Sequence, residues 1–386
     1  MSGNIHKSGF IQLFLYVFVN ILFIFKYIPR TGVNPVIPAL VYLLFIVIAY
    51  LGFNRIFTSK KDNSFKLPLF LVYALTITMI IAILIRIDPL SIRVDRWSAV
   101  TYFLDNLFHG DYPYAAHTHV SKDNFPSPFP MWYVINLPFY LAGDVGIGLI
   151  AFLSLVLFTY YLFTKSFKKT FVFLVLIILS PAYWWEVAVR SDSLSNAILV
   201  LCIILLFYMK KLSIGRNLMI TAIICGIIAS TRLSAILPIA LFIFPSFLKI
   251  SLHKKMAFVS IVLGFVLLTF LPFILWDTEN WIFFSRNPFM SQSSIGSPLL
   301  LLVMIILGIF MALKWHNINQ FLNLASVFIF IFILTSQLNL MFTRGINESV
   351  FTDSLYDISY FSLLLPYCIA YLADRISNST PSLSDS

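Results

Sequence analysis

The chain has 386 residues, of which 60% are hydrophobic and 11% charged, and its mean hydropathy is +0.92. Soluble domains carry roughly 45–50% apolar and about 25% charged residues. The composition therefore excludes an ordinary soluble protein and predicts an all-α, polytopic membrane protein with about 12 transmembrane helices. The net charge of +10 lies in short loops between apolar runs, so it predicts sidedness in a lipid bilayer and no nucleic-acid partner.

Apolar runs predict the membrane helices in chain order. They lie at about 8–27, 36–53, 68–86, 145–164, 171–188, 193–209, 217–231, 233–250, 257–276, 297–313, 320–341 and 355–373. The first run resembles a signal peptide, but Lys26 and Pro29 stand where a cleavage site needs small residues, so we predict a retained helix. Residues 1–376 are predicted to form one transmembrane domain, and the Ser/Pro-rich segment 377–386 a disordered tail.

The polar segments between these helices sort into a basic and an acidic set. With the N-terminus inside, the cytoplasmic loops hold 16 of the 26 Lys and Arg residues and 3 of the 16 Asp and Glu residues, which leaves 10 basic and 13 acidic residues outside. Cytoplasmic loops carry the excess of basic residues. Both termini are therefore predicted to be cytoplasmic and the 87–143 region to face outward, in a bacterial cytoplasmic membrane.

The stretch 92–143 is the one long polar interruption in the chain. Its first part alternates at helical spacing, with Trp97, Val100, Phe103, Leu104, Leu107 and Phe108 on one side and Arg96, Thr101, Asp105, Asn106 and His109 on the other. This pattern predicts an amphipathic helix that is too short to span the bilayer and lies in the interface. Gly110 ends the helix, and a loop with three prolines leads into a second short apolar helix, Met131 to Leu141.

Two later segments bring charge to the same predicted face. Residues 180–197 carry Glu186, Arg190 and Asp192 at the outer end of a helix. The apolar run between two basic flanks at 217–250 predicts a hairpin whose turn, near residues 230–238, contains Arg232. An unpaired arginine in lipid costs several kcal/mol, so Arg232 needs a partner or an anionic ligand.

In order and spacing these features resemble the GT-C superfamily, integral-membrane glycosyltransferases that use polyprenyl-phosphate-linked sugars. The matching elements are Asp95 at the start of the interfacial helix, HGDYPY at 109–114, PSPFPMWYVINLPFYLAG at 126–143, Ser180-Pro181 with Arg190-Ser191-Asp192, and Arg232 in the hairpin turn. The resemblance covers roughly residues 68–250. This chain departs from it at Asp95-Arg96, where many relatives have Asp-Glu, and at Pro126-Ser127-Pro128, where some have a lysine before paired prolines.

The resemblance implies an inverting transfer of a sugar from a polyprenyl-phosphate donor to a hydroxyl of a glycan, lipid or protein acceptor. Asp95 would be the general base, with Asp111 as the second candidate. The residues implied in substrate or phosphate binding are Arg96, Arg190, Asp192, Arg232, His117, His119 and Lys122. We assign no metal site and no cofactor, and dependence on a divalent cation stays open.

Each of these residues also has a purely structural interpretation. Asp95 can be the N-cap of its helix, and Asp111 can belong to a simple Gly-Asp turn. Arg190 and Asp192 can form a structural ion pair. Two histidines in a solvated loop, His117 and His119, are a weak signal for a metal site. The aromatic residues Trp132, Tyr133, Trp184 and Trp185 can form an interfacial belt instead of stacking on a sugar or an isoprenoid.

Two other classes of function compete with the glycosyltransferase. A transporter or flippase keeps ionisable groups near the bilayer midplane, in broken helices repeated in both halves. A polymerase or ligase of lipid-linked glycans places its key residues in a large loop late in the chain. Here the charged residues lie mostly at helix ends, and the long loop comes early.

The predicted sidedness can be tested by labelling. In a background with Cys202, Cys225 and Cys368 replaced by alanine, Ser121→Cys should react with a membrane-impermeant maleimide added to intact cells. Ser166→Cys, in the basic loop KSFKK, should react only after the membrane is opened. Labelling of Ser166→Cys from outside would show that the assignment of sides is wrong.

Overall fold

The structure is a computed structural model that describes residues 2–59, 61–282, 287–293, 298–351 and 358–378. Its α-helices are α1 (Ser2–Tyr27), α2 (Val36–Ser59), α3 (Lys66–Arg86), α4 (Arg96–His109), α5 (Pro130–Leu141), α6 (Ile147–Thr164), α7 (Phe167–Ile178), α8 (Pro181–Ala188), α9 (Asp192–Met209), α10 (Leu218–Ala229), α11 (Leu233–Leu248), α12 (Leu252–Trp276), α13 (Thr278–Ile282), α14 (Pro288–Ser293), α15 (Pro298–Ala312), α16 (Ile318–Arg344) and α17 (Leu365–Asn378). The described residues contain no strand, which confirms the all-α prediction for them. Of the predicted tail, residues 379–386 lie outside the described part.

The long apolar helices identify a membrane protein. Within the part of the chain that the structure describes, six helical segments are long and apolar enough to cross a bilayer, namely Gly9–Thr31, Asp62–Arg86, Ile147–Thr164, Asp192–Met209, Leu252–Trp276 and Ile318–Arg344. A seventh crossing results if α7 and α8, which meet at a bend of 68°, are counted as one broken span. Four other apolar helices are shorter: Val36–Ala49, Leu218–Ala229, Leu233–Leu248 and Leu299–Ala312. Each of the twelve predicted apolar segments overlaps at least one of these helices or, for 355–373, part of α17.

The chain forms two compact units, and the first comprises Met1–Ala82, Ser154–Glu186 and His316–Ser386. Buried polar side chains pair within it. Gln12 donates to the Asn323 side chain at 2.8 Å, and Asn20 Oδ1 accepts from Ser180 Oγ at 2.6 Å and from the Ala182 amide at 3.1 Å. The Asn20 contacts satisfy one backbone amide and one hydroxyl at the start of α8, next to the bend. These bonds compensate the cost of burying amide groups among apolar helices.

Loops that the charge pattern assigns to one side come together in this unit. Asp62 accepts from Ser166 Oγ and, at 3.1 Å each, from the backbone amides of Phe167 and Lys168 at the start of α7. Lys169 Nζ lies 2.6 Å from Asp374 Oδ1. All of these residues belong to segments predicted to share the cytoplasmic side. Their grouping is what that prediction requires, whichever face of the membrane they occupy.

The second unit comprises Ile83–Leu153 and Val187–Trp315, and it contains the long polar stretch. The predicted amphipathic helix is α4. It ends where Gly110 adopts the left-handed conformation (φ +81°) and donates its amide to the carbonyls of Asn106 and Leu107. On the buried face Phe103 stacks on Tyr133 of α5, with ring centroids 3.4 Å apart. This stacking joins the two short helices.

The predicted hairpin is formed by α10 and α11, with residues 230–232 between them. The Phe129 amide donates to the Thr231 carbonyl at 2.9 Å, and the Met131 amide donates to the Ser230 carbonyl at 3.0 Å. Pro130, which has no amide hydrogen, stands between these two donors at the first position of α5. The proline-rich segment is thereby fixed to the hairpin turn that carries Arg232.

α10 packs closely against α12 because Gly226 has no side chain. A Cβ at this position would lie 2.7 Å from Phe265 Cβ and 3.3 Å from the Val262 carbonyl oxygen. Small residues allow close backbone approach between apolar helices in membranes. Gly264, on α12 itself, has open space around it, with no atom within 4 Å of an added Cβ. The two glycines are therefore a matched pair.

Gly226→Ala should lower the apparent unfolding temperature in detergent because α10 and α12 must separate to admit the methyl group. Gly264→Ala should leave it unchanged or raise it, since alanine favours a helix by up to about 1 kcal/mol over glycine. Thermal unfolding of both variants, followed by tryptophan fluorescence, tests this. Equal effects of the two substitutions would contradict the packing described for α10 and α12.

Candidate functional site

Asp192, the first residue of α9, lies between two arginines. Arg232 Nη2 is 2.7 Å from Asp192 Oδ2, and Arg96 Nη1 is 3.5 Å from Asp192 Oδ1. The side chain of Asp192 is 4% exposed, that of Arg232 6% and that of Arg96 11%. Since buried charges are found paired, this carboxylate and its guanidinium groups have to be buried together. The three residues come from the start of α9, the hairpin turn and the start of α4.

Ser193, the next residue of α9, accepts from both arginines. Arg232 Nη1 donates to Ser193 Oγ at 2.5 Å, and Arg96 Nη1 donates to the same oxygen. A hydroxyl oxygen has two lone pairs, so it can accept both bonds. The Asp192-Ser193 pair at the N-terminal end of α9 therefore orients two guanidinium groups. We call Arg96, Asp192, Ser193 and Arg232 the arginine cluster.

Several buried polar atoms in and beside the arginine cluster have no hydrogen-bond partner among the described residues. They include Asp192 Oδ2, although it lies 2.7 Å from Arg232 Nη2, and two donors, Arg232 Nε and the hydroxyl of Tyr133, on α5. The Tyr133 hydroxyl is close enough to Asp192 and Arg232 to be affected by both charges. Buried polar atoms are nearly always hydrogen-bonded. An N–H and an O–H at this point are donors that could bind an oxygen of an anionic ligand.

Arg190 belongs to a separate ion pair. Its Nε donates to Asp144 Oδ2 at 2.9 Å, and its Nη2 donates to the carbonyls of Leu84 at 2.8 Å and Ile87 at 3.1 Å. These are the orphan carbonyls at the C-terminal end of α3, where a cation is favourable. The ion pair considered from sequence between Arg190 and Asp192 is wrong, because Asp192 pairs with Arg96 and Arg232. Arg190 is thus held in place by one carboxylate and two backbone carbonyls.

Asp144 was missed in the sequence analysis, and it organises this second pair. Its Oδ1 accepts from the Trp97 indole at 3.2 Å and from the Gly146 amide at 2.7 Å, while Oδ2 accepts from Arg190. The only sequence signal for it is a lone aspartate just before an apolar run. Ser193 and Tyr133 gave no signal either, since nothing in a sequence distinguishes a hydroxyl that meets an arginine from one that does not.

Asp95 immediately precedes Arg96, at the N-cap position of α4. Its carboxylate makes no capping hydrogen bond, although its carbonyl accepts from the Ala99 amide at 2.8 Å. The purely structural interpretation of this carboxylate as a helix cap is thus wrong in this conformation. The residue is half-buried. Burial raises the pKa of the Asp95 carboxyl above its ordinary value; Arg96 and His119 oppose that rise, and the charge of Asp192 adds to it.

His119 lies beside Asp95, whereas His117 and Lys122 do not join the arginine cluster. His119 Nδ1 is 2.7 Å from Ser98 Oγ, and its Nε2 is 2.9 Å from the Ile92 carbonyl oxygen. His117 and Lys122 are exposed, and His117 Nδ1 is 2.6 Å from the Lys122 carbonyl oxygen. Within the described residues no group of three or more His, Cys, Asp or Glu side chains is arranged to hold a metal ion.

Asp111 is exposed in the turn that follows α4. Its amide donates to the Asn106 carbonyl at 2.9 Å, as expected for the residue after a left-handed glycine at a helix end. The Gly-Asp turn therefore accounts for the backbone of this residue. Among the described residues, Asp111 makes no contact with the arginine cluster.

A small cavity borders the arginine cluster. Its volume is about 10 Å³, roughly the space that one water molecule needs, and its walls include Trp132, Asn136, Arg190, Ser191 and Asp192. The indole N–H of Trp132 and the hydroxyl of Ser191 are both buried without a partner. Polar atoms thus face the space on which the two ion pairs border.

Comparison with known proteins found no matching protein-family model, no similar curated protein and no similar solved structure. The chemistry available to this chain has therefore to be inferred from its side chains. The second unit offers one carboxylate, that of Asp95, which directly precedes a member of the arginine cluster and makes no capping hydrogen bond. It also offers a guanidinium N–H and a phenol with unused donors.

Removing the charge of Asp192 and removing the charge of Asp95 should affect the stability of the folded protein differently. Asp192→Asn leaves the buried guanidinium of Arg232 uncompensated, so it should destabilise the protein by about 3–5 kcal/mol. Asp95→Asn should leave the apparent unfolding temperature unchanged or raise it at neutral pH, because the folded protein holds the charged carboxylate unfavourably.

The effect of Asp95→Asn on the unfolding temperature should depend on pH, and the direction of that dependence can be predicted. A raised folded-state pKa means that ionised Asp95 costs stability above that pKa and costs none below the pKa of the unfolded chain. The difference between Asp95→Asn and wild type should therefore vanish as the pH falls into the acidic range. Thermal unfolding from neutral to acidic pH measures it. A strong destabilisation by Asp95→Asn at neutral pH would contradict the placement of this carboxylate.

Proposed function

We propose that the chain is a membrane glycosyltransferase. It transfers a sugar from a polyprenyl-phosphate-linked donor to a hydroxyl acceptor in a single displacement, which inverts the anomeric configuration. Asp95 is the general base. The observation that supports this most directly is the position of Asp95, whose carboxylate makes no capping bond, immediately before Arg96 of the buried arginine cluster.

The environment of Asp95 suits a base. A general base works best when its pKa lies near the operating pH, and burial moves the pKa of this carboxyl in that direction. The carboxylate makes no capping bond that would have to be broken before it accepts a proton. Positioned proton transfer of this kind contributes roughly 10²- to 10⁴-fold to a rate. Asp111, the second candidate from the sequence, is exposed in a turn and is the weaker choice.

The arginine cluster suits a phosphate leaving group. A guanidinium has five donors in a planar fork, and Arg232 uses Nη1 for Ser193 and Nη2 for Asp192. Its Nε–H and the Tyr133 hydroxyl are buried and available to phosphate oxygens. The sequence analysis requires a partner or an anionic ligand for Arg232, and Asp192 is such a partner. The unused donors now support the assignment.

The proposal also includes the orientation of the protein in the membrane. The twelve apolar segments cross a bacterial cytoplasmic membrane, both termini are cytoplasmic, and the arginine cluster lies at the outer face, where the lipid-linked donor meets a glycan, lipid or protein acceptor. In the second unit Lys254 Nζ is 3.5 Å from the Gly215 carbonyl oxygen, and both loops are predicted to be cytoplasmic. In the same unit the segments that contain Asp95, Asp144, Asp192 and Arg232 are all predicted to lie on the opposite side.

One observation favours a transporter or flippase as the second candidate. α7 and α8 form a helix pair bent by 68°, and broken helices line the substrate sites of many transporters. The bend has its own polar support, because Asn20 binds the amide of Ala182 just beyond it. A transporter would move its substrate unchanged, so only the formation of a transfer product separates the two classes.

Two variants should separate catalysis from binding. Asp95→Asn cannot accept a proton, so sugar transfer should fall by about two to four orders of magnitude while binding of a polyprenyl-phosphate sugar survives. Arg232→Lys keeps the charge but loses the planar fork, so binding should weaken by about 1.5–3 kcal/mol. Membranes from cells that produce each variant are given a radiolabelled polyprenyl-phosphate hexose, and incorporation into glycan is counted. Binding is measured on purified protein in nanodiscs.

Asp123→Asn is the matched control for Asp95→Asn, since Asp123 is an exposed carboxylate of the 110–129 loop. It should retain both transfer and binding. Full transfer by Asp95→Asn would remove Asp95 as the base and make Asp111 the next candidate. The absence of a transfer product with wild-type protein, together with movement of the labelled lipid across the bilayer, would favour the flippase.

A further inference from the structure

His119 bridges the backbone on both sides of Asp95. Its Nε2 is 2.9 Å from the carbonyl oxygen of Ile92, three residues before Asp95, and its Nδ1 is 2.7 Å from Ser98 Oγ, three residues after it. The His119 amide is also 3.3 Å from Ser98 Oγ. Ser98 is fully buried. One side chain from the 110–129 loop therefore links the residues on both sides of the turn that carries the Asp95 carboxylate. We call this set of hydrogen bonds the ring.

The hydrogens in this ring can be assigned from the acceptors. A carbonyl oxygen only accepts, so Nε2 must carry a hydrogen toward Ile92. Ser98 Oγ has a single hydrogen, yet it contacts both His119 Nδ1 and the Asp95 carbonyl oxygen, at 2.7 and 3.2 Å. If the imidazole is neutral, that hydrogen goes to Nδ1 and the Asp95 carbonyl loses it. If the imidazole is protonated, Nδ1–H donates to Ser98 Oγ and the hydroxyl hydrogen is free for Asp95.

Three charged groups face the Asp95 carboxylate. Arg96 comes from α4, Asp192 from α9 and His119 from the loop. Arg96 is held against Asp192 and Ser193, so its position is fixed by the arginine cluster. His119 is the one of these three groups that the 110–129 loop, and not the arginine cluster, holds in place.

We propose that His119 is a positioning residue that clamps the turn around Asp95 and, when it is protonated, stabilises the ionised form of that carboxylate. The proposal rests on the role of Asp95 as the base in the proposed function. It extends that function by coupling the base to the 110–129 loop: a movement of the loop that withdraws His119 removes both the clamp and the charge. The imidazole itself touches neither the donor nor the acceptor.

The test measures the titration of Asp95 without any transfer reaction. Protein labelled with ¹³C at the aspartate carboxyl carbon is titrated in nanodiscs by infrared difference spectroscopy, and the Asp95 band is identified by its absence in Asp95→Asn. In His119→Gln the side-chain amide can still donate to the Ile92 carbonyl, but the positive charge is gone. The Asp95 titration should move to higher pH by about half a pH unit or more.

Two further variants separate charge from scaffold. Ser98→Ala removes the hydrogen bond between Ser98 Oγ and His119 Nδ1 but keeps the imidazole charge. The Asp95 titration should therefore stay closer to wild type than in His119→Gln. His109→Gln is the matched control, because His109 is an exposed histidine at the C-terminal end of α4, far from Asp95 at its start. This variant should leave the Asp95 titration unchanged.

The outcomes are distinct. An Asp95 titration that is the same in His119→Gln and wild type overturns the electrostatic role, and a titration that moves equally in His109→Gln shows a general charge effect and overturns it too. If Asp95 titrates as proposed but wild-type protein gives no transfer product, the proposed function fails while the relation between His119 and Asp95 stands.

Discussion

The second unit depends on a single buried carboxylate. Asp192 could not be buried alone, because an ionised group removed from water needs compensating charge and hydrogen bonds. The two guanidiniums that supply them come from Arg96 and Arg232, on elements that are distant in the chain. The start of α9, the start of α4 and the hairpin turn therefore have to assemble together. Since Asp95 precedes Arg96, its position is set by the same ion pair.

The three aspartates of this region have different environments and so different roles. Asp192 is paired with two arginines, and Asp144 is paired with Arg190 and also accepts from an indole and an amide. Asp95 has neither a capping bond nor such a pair, and burial raises the pKa of its carboxyl. Asp95 is the member of the set that can exchange a proton without breaking the structure.

Sequence reasoning located the elements well and their partners poorly. Helical periodicity and the left-handed Gly110 defined α4, and the basic flanks of 217–250 defined the hairpin turn with Arg232, because these signals are local. Ion-pair partners are not local. Arg190 and Asp192 are two residues apart, which suggested a pair, but Arg190 adopts φ +52° and donates to Asp144 and to the end of α3. The partners of Asp192 are 96 and 40 positions away.

The Asp95-Arg96 dipeptide, which departs from the Asp-Glu of many GT-C enzymes, has a physical reason in this chain. Arg96 Nη1 is 3.5 Å from Asp192 Oδ1 and also donates to Ser193. A glutamate at position 96 would bring a second carboxylate toward Asp192, and two like charges at such a distance raise each other's proton affinity instead of anchoring a helix. Arginine at 96 fixes the start of α4 but also favours ionised Asp95, against the effect of burial. The pKa of Asp95 is therefore set by two opposing effects, burial and the charge of an arginine whose position is fixed by the fold.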